Sequence, residues 1–288
     1  MTLQNSRPQS LWRAIAQSFA SALVIEVIAP KVSGVTATDN MKDMSSVEFI
    51  HTSYYIYDGI ERLRRDVGCV SLGKALLDLM RSVLRDSLIR TNTCLGYGLT
   101  AISLASTMLY SLRANSCGDV RECVLAGYRE FEECLKSENA TDLLEAIRLA
   151  SPSYHGHYYS SEVLVNVFKL LWESALWDLV AYNIVNRYSI TLDIYEHVRR
   201  VRHRDLVNTV SKLYKSAASK YIDTISFKSG GIMLSRLIQE LVSVSTLSDR
   251  EVRDILVYRV GVNLGSISDI VASSVALALV EWRWRETA

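Results

Sequence analysis

Proline is almost missing from this sequence of 288 residues, with 3 in all, and glycine is sparse at 13. Both residues interrupt helices, so their scarcity favours long helices with short connections. Apolar–polar alternation of period two is nearly absent as well, which removes the usual mark of half-buried strands. Charge of one sign does not dominate either: 32 Lys and Arg face 31 Asp and Glu, for a net +1. That balance argues against a general nucleic-acid binder. No CxxC pair occurs among Cys69, Cys94, Cys117, Cys123 and Cys134, so zinc is not expected. Five scattered cysteines, an odd number, suit a reducing compartment; Cys117 with Cys123 or Cys134 is a pairing reserved for a hyperthermophile. The N-terminal stretch lacks a basic segment followed by an apolar core and a small-residue cleavage site, so no secretory signal and a cytoplasmic location are expected.

What is present is a globular composition, 49% hydrophobic and 22% charged, in a length that one large domain can span. Residues 1–288 therefore read as a single all-α domain of about ten helices around a buried central helix. The central helix is the uncharged run 95–112, apolar or small on every face. Its length raises a membrane span as an alternative, but its many Ser, Thr and Gly residues and its flanks argue against one. Helix one has Leu11, Ile15, Phe19, Leu23 and Val27 at helical spacing and stops at Pro30, delivering Glu26 near its end. Ser45 to Glu48 and Ser248 to Glu251 have the spacing of capping boxes. Long helices are expected over 162–187 and 192–219, and Gly230-Gly231 marks a break before another. Trp282 and Trp284 near the C-terminus point to a packed end or a homodimer contact.

Several polar groups stand out against this apolar frame. Thr91, Asn92 and Thr93 crowd the start of the central helix, where free backbone N–H groups and the macrodipole favour an anion, and Gly96 permits a close approach. An ordinary N-cap is the plainer reading of the same residues. Glu26 at a helix C-terminus is disfavoured by the dipole and is either exposed or held by a cation or a metal. Asp178, set among Trp172, Leu176, Trp177 and Leu179, needs a partner. The basic set Arg199, Arg200, Arg202, His203 and Arg204 reads as a solvated face, and His155 with His157 as surface groups of a Tyr-rich loop.

Taken in order, these segments resemble the triphosphoribosyl-dephospho-CoA synthase family, in its shorter archaeal form, over nearly the whole chain. The resemblance rests first on Glu26, then Pro30, Lys31 and Gly34, then Asp43, Met44 and Phe49. It continues through Asn92, Thr93 and Gly96, the segment 146–150 with Pro152, and Asp178 with Leu179, Val180 and Ala181. It ends with Asp223, Thr224, Lys228 and Gly230, and with Asn263, Gly265, Ser266, Asp269 and Ile270. Departures occur at Val32, Arg90, Thr91, Cys94, Leu264, Tyr182 and Asn183, mostly where the family has glycine or proline.

The resemblance implies a transferase that moves the triphosphoribosyl group of ATP to the 2′-hydroxyl of 3′-dephospho-CoA or a related acceptor, releasing adenine. It implies ATP as substrate, Mg²⁺ to neutralise the phosphates and small-molecule nucleotide partners; neither nucleic acid nor a membrane is expected from the composition. Asp43, Asp178 and Glu26 become the candidate catalytic residues, with Asp43 or Asp178 as the base. Glu26, Asp43, Asp178 and Asp223 become the candidate metal ligands. Lys31, Asn92, Thr93, Gly96, Asp223, Asn263, Ser266 and Asp269 become the nucleotide-binding set. The alternative, suggested by the departures, is a diverged non-catalytic nucleotide-binding or scaffold protein of the same fold.

Overall fold

The computed structural model describes residues 6–41, 44–150, 165–244 and 246–287. Asp43 and the Tyr-rich loop with His155 and His157 lie outside them. Among the described residues there are 13 α-helices and no strands, only isolated bridges such as that joining Met41 and Met44. In chain order they are α1 Ser6–Ile28, α2 Ser46–Leu63, α3 Leu72–Arg85, α4 Leu95–Arg113, α5 Val120–Ser137, α6 Thr141–Ala150 and α7 Val167–Ser174. There follow α8 Leu179–Val185, α9 Ser189–Val198, α10 Leu206–Lys220, α11 Thr224–Ser243, α12 Asp249–Arg253 and α13 Gly265–Thr287. A 3₁₀ turn precedes α10, and a π-helical stretch, Asp254–Val260, continues α12.

The centre is α4, in which every residue from Tyr97 to Ser111 is buried. Its many hydroxyls do not violate burial, because they bond to backbone carbonyls: Thr100 to Gly96 at 3.0 Å, Ser106 to Ile102 at 2.8 Å, and Ser111 to Cys123 of α5 at 2.6 Å. α5 lies so close that a Cβ on Gly127 would stand 1.9 Å from the carbonyl oxygen of Thr107. α1, α4 and α13 also pack on one another. Among the described residues these three are the helices long and apolar enough to cross a membrane; in the fold 89% of the α4 window is buried against protein. Trp282 is packed within the chain, its indole N–H donating to the Arg199 carbonyl at 3.2 Å.

The architecture agrees with the all-α expectation, and the differences are informative. The helix expected over 162–187 is two helices, because Asp178 turns its carboxylate onto the backbone and starts α8 afresh. The helix expected over 192–219 is likewise split, at the basic segment 199–205. Both capping boxes form, with the Ser45 and Ser248 N–H groups donating to Glu48 at 2.6 Å and Glu251 at 2.7 Å. Gly230 and Gly231 kink α11, with Gly231 at φ +65°. The cysteines depart from the reduced state expected of them. Cys69 is bonded to Cys134 and Cys117 to Cys123, leaving Cys94 as a buried thiol whose pKa burial raises to about 12.

Candidate active site

Four helices begin at one place. Asn92 Oδ1 accepts from the N–H groups of Cys94 and Leu95 at 3.1 and 3.0 Å and so caps α4. Asp178 Oδ1 accepts from Val180 and Ala181, both at 3.0 Å, and caps α8. Asp223 Oδ1 accepts from Ile225 and Ser226 at 2.8 and 3.1 Å and caps α11, while its Oδ2 accepts from Ile267 at 3.2 Å in the first turn of α13. One carboxylate thus ties two helix starts together. The Leu179 N–H donates to the Thr224 hydroxyl at 2.8 Å, which joins α8 to α11. The start of α4 is fixed from α2, where buried Glu48 accepts from the Arg90 N–H at 3.2 Å. Burial alone would raise the Glu48 pKa; the N–H groups of Ser45 and Arg90, the Ser45 hydroxyl and the Arg90 charge hold it below the usual range.

The four helix starts open on a cavity of about 400 Å³. Its wall includes the predicted residues Glu26, Lys31, Asn92, Thr93, Gly96 and Asp178, together with Asn263, Ser266 and Asp269. Asp223 is buried just behind that wall, and Asp43 falls outside the described residues, although Met44 beside it is part of the lining. Gly96 is explained by Asp269: a Cβ there would stand 2.0 Å from Asp269 Oδ2. Gly34, at φ +86°, brings another three groups together, since a Cβ on it would lie 3.6 Å from Asn263 Oδ1 and 3.8 Å from both Lys31 Nζ and Ser268 Oγ.

Charge is concentrated here. Lys31 Nζ lies 2.6 Å from Glu26 Oε1, with both side chains buried, so Glu26 is held by a cation rather than exposed. Burial lowers the Lys31 pKa, Glu26 opposes that shift, and the Arg253 charge adds to it. Lys228 Nζ stands 3.5 Å from Asp178 Oδ2, and burial again lowers the amine's pKa against the pull of the carboxylate. Asp223 is raised to about 6 by burial, partly offset by the N–H groups it accepts from. Asp269 is raised well above the carboxylate range, by burial first and then by the neighbouring charges of Glu26, Asp223 and Asp178.

Among the described residues no three His, Cys, Asp or Glu side chains come together as a metal-binding group. The oxygens that cap helices or pair with lysine are already engaged. The residues fit a cation carried by phosphate oxygens and touched by one or two carboxylates, as magnesium commonly is, rather than a cage of protein ligands.

Sequence reasoning did not assign roles to Lys228, Ser268, Trp177 or Arg253. Lys228 and Trp177 had a signal, the first lying one turn past Asp223 and the second adjoining Asp178. Arg253 had none. It donates from Nη1 to the Lys31 carbonyl at 3.0 Å across 222 positions, while its Nε and Nη2 are buried with no hydrogen-bond partner.

Helix N-termini, two lysines and a cluster of buried carboxylates around one cavity define a helical protein with a site for a small anionic ligand. The chain belongs to the CitG family, ATP:dephospho-CoA triphosphoribosyl transferase, whose model matches residues 12–288. Among solved structures, that of a candidate triphosphoribosyl-dephospho-CoA synthase from Archaeoglobus fulgidus is similar, with a TM-score of 0.59 at 18% sequence identity over 81% of this chain and 98% of that one. At that identity the likeness speaks for the fold. Curated proteins give no significant match.

Proposed function

We propose that this protein transfers the triphosphoribosyl group of ATP to the 2′-hydroxyl of 3′-dephospho-CoA and releases adenine. The observation that supports the reading most is the meeting of four helix starts and three cavity-lining carboxylates, Glu26, Asp178 and Asp269, at one cavity. Backbone N–H groups at a helix start suit phosphate oxygens. Carboxylates suit the positive charge that develops on the ribose as the base departs.

In this reading a bond forms between the acceptor O2′ and the ribose C1′ as the bond from C1′ to the adenine nitrogen breaks. Adenine leaves with that electron pair and takes up a proton. Asp178 receives the hydroxyl proton of the acceptor: it lines the cavity, keeps its Oδ2 outside the cap, and has Lys228 beside it to stabilise the carboxylate. Asp269 faces the same space from the first turn of α13, against Gly96. Asn92, Thr93 and the N–H groups near Gly96 hold phosphate, with Lys31 as a point charge and Asn263 and Ser266 on the facing wall. Mg²⁺ would lie on the triphosphate near Glu26 and Asp178, where it would neutralise phosphate charge. Because ATP and dephospho-CoA are metabolites of the cell interior, we place the protein in the cytoplasm. Its two disulfides then suit an intracellular protein of hyperthermophile type.

The test is incubation with ATP, Mg²⁺ and 3′-dephospho-CoA, followed by chromatography for adenine and mass analysis of the nucleotide product. Adenine release that depends on dephospho-CoA is expected. Asp178→Asn keeps the α8 cap, since Asn caps as well as Asp, and should lower kcat by about 10²–10⁴-fold. Nucleotide binding without adenine release would overturn the proposal.

A further inference from the structure

The cavity has two kinds of wall. One is the polar meeting point of helix starts described above. The other is apolar and comes from two helices that contribute nothing to that meeting point, with Leu143, Ile147 and Ala150 on α6 and Leu170 and Leu171 on α7. The segments that lead into these helices are joined by paired backbone bonds, Ala140 N–H to the Val165 carbonyl at 3.0 Å and Val167 N–H to the Glu138 carbonyl at 2.9 Å. Trp177 also lines the cavity, in the turn between α7 and α8 and next in the chain to Asp178, and is partly buried.

An apolar lining of this kind suits a flat uncharged part of a ligand better than it suits a polyphosphate. Nucleobases stack on indole, and the interaction tolerates any base because each has a π-face. The bond broken in the proposed reaction joins the base to the ribose carbon, so the base has to lie within one sugar of the carboxylates. Trp177 meets that condition through its junction with Asp178.

We propose that Trp177 and the α6–α7 wall form the subsite for the purine base of the nucleotide, with Trp177 stacking on it. This rests on the nucleotide-transfer reading, and it names which part of the cavity takes which part of ATP. The base in turn orients the ribose, so that the sugar faces Asp178 while the triphosphate reaches the helix starts.

The experiment compares the wild type with Trp177→Ala, Trp177→Phe and Ile147→Phe, each checked for a native thermal transition. Calorimetric titrations use ATP, adenosine and tripolyphosphate. Trp177→Ala should weaken ATP and adenosine by about tenfold or more, the usual scale for removing a base-stacking ring, and leave tripolyphosphate within about twofold. Trp177→Phe, which keeps a ring, should recover most of the loss. Ile147→Phe narrows the apolar half from the other helix and should weaken adenosine but not tripolyphosphate. ATP affinity unchanged in folded Trp177→Ala would overturn the inference. So would equal losses for adenosine and tripolyphosphate, which would mark a general distortion of the cavity. Binding needs no turnover, so the two readings fail separately. Stacking without adenine release overturns the transfer reading alone, and adenine release with an unchanged KM for ATP in Trp177→Ala overturns the base subsite alone.

Discussion

The contact between Gly96 and Asp269 concentrates the logic of the site in two residues. Gly96 lets a carboxyl press against the first turn of the central helix, and burial with three neighbouring carboxylates raises that carboxyl's pKa. Gly96→Ala should force Asp269 aside, lower stability by about 1–3 kcal/mol as overpacking does, and abolish ATP-induced protection in a thermal-shift assay. Asp223 gives a prediction about pH. Its folded pKa of about 6 lies above the unfolded value of 3.8, so the native state holds the proton more tightly and the group's contribution falls as pH rises between those values. That difference corresponds to about 3 kcal/mol. In urea unfolding at stepped pH, the stability of the wild type relative to Asp223→Asn should decline from pH 4 to 6 and level off near 7. A constant difference would show that Asp223 does not titrate in this window.

At the scale of elements, starts of helices matter more here than their faces. Asp178 and Asp223 each cap a helix, and the Leu179 N–H to Thr224 hydroxyl bond couples the two caps. Thr224→Val removes that acceptor while keeping the side chain's shape, leaves a half-buried N–H without its partner, and should cost about 1–3 kcal/mol. Because it also loosens Asp178, kcat for adenine release should fall more than KM for ATP rises. Equal changes in both would mean that the coupling does not orient the base. Arg253 acts on another element, the loop that carries Lys31, through its bond to the Lys31 carbonyl.

For the whole molecule, the Cys69–Cys134 bond ties the segment between α2 and α3 to the end of α5 across 65 positions. A loop of that length corresponds to about 4 kcal/mol in the chain-entropy account. Cys69→Ser should lower the unfolding free energy by about 3–4 kcal/mol, and a reducing agent should have a comparable effect on the wild type and none from this bridge on the variant. Denaturant melts with and without reductant check this. The shorter Cys117–Cys123 bridge spans 6 positions and is expected to contribute less.

Much of this protein was legible in its sequence because helices announce themselves locally. The period of 3.6 residues in α1, the uncharged run of α4 and the two Ser-to-Glu capping boxes depend on neighbours a few positions apart. Glu26 and Asp178 were legible for a similar reason, as carboxylates at a helix C-terminus and in an apolar stretch, whereas Asp269 entered only through the resemblance to the family. What only the tertiary structure decided are the contacts between distant positions. Two expected long helices are broken, one of them because the Asp178 side chain competes for backbone N–H groups. Cys69 meets Cys134, Arg253 meets Lys31, and Asp223 bonds to the starts of both α11 and α13. Each of these pairings is set by how helices pack, which periodicity along a single chain does not encode.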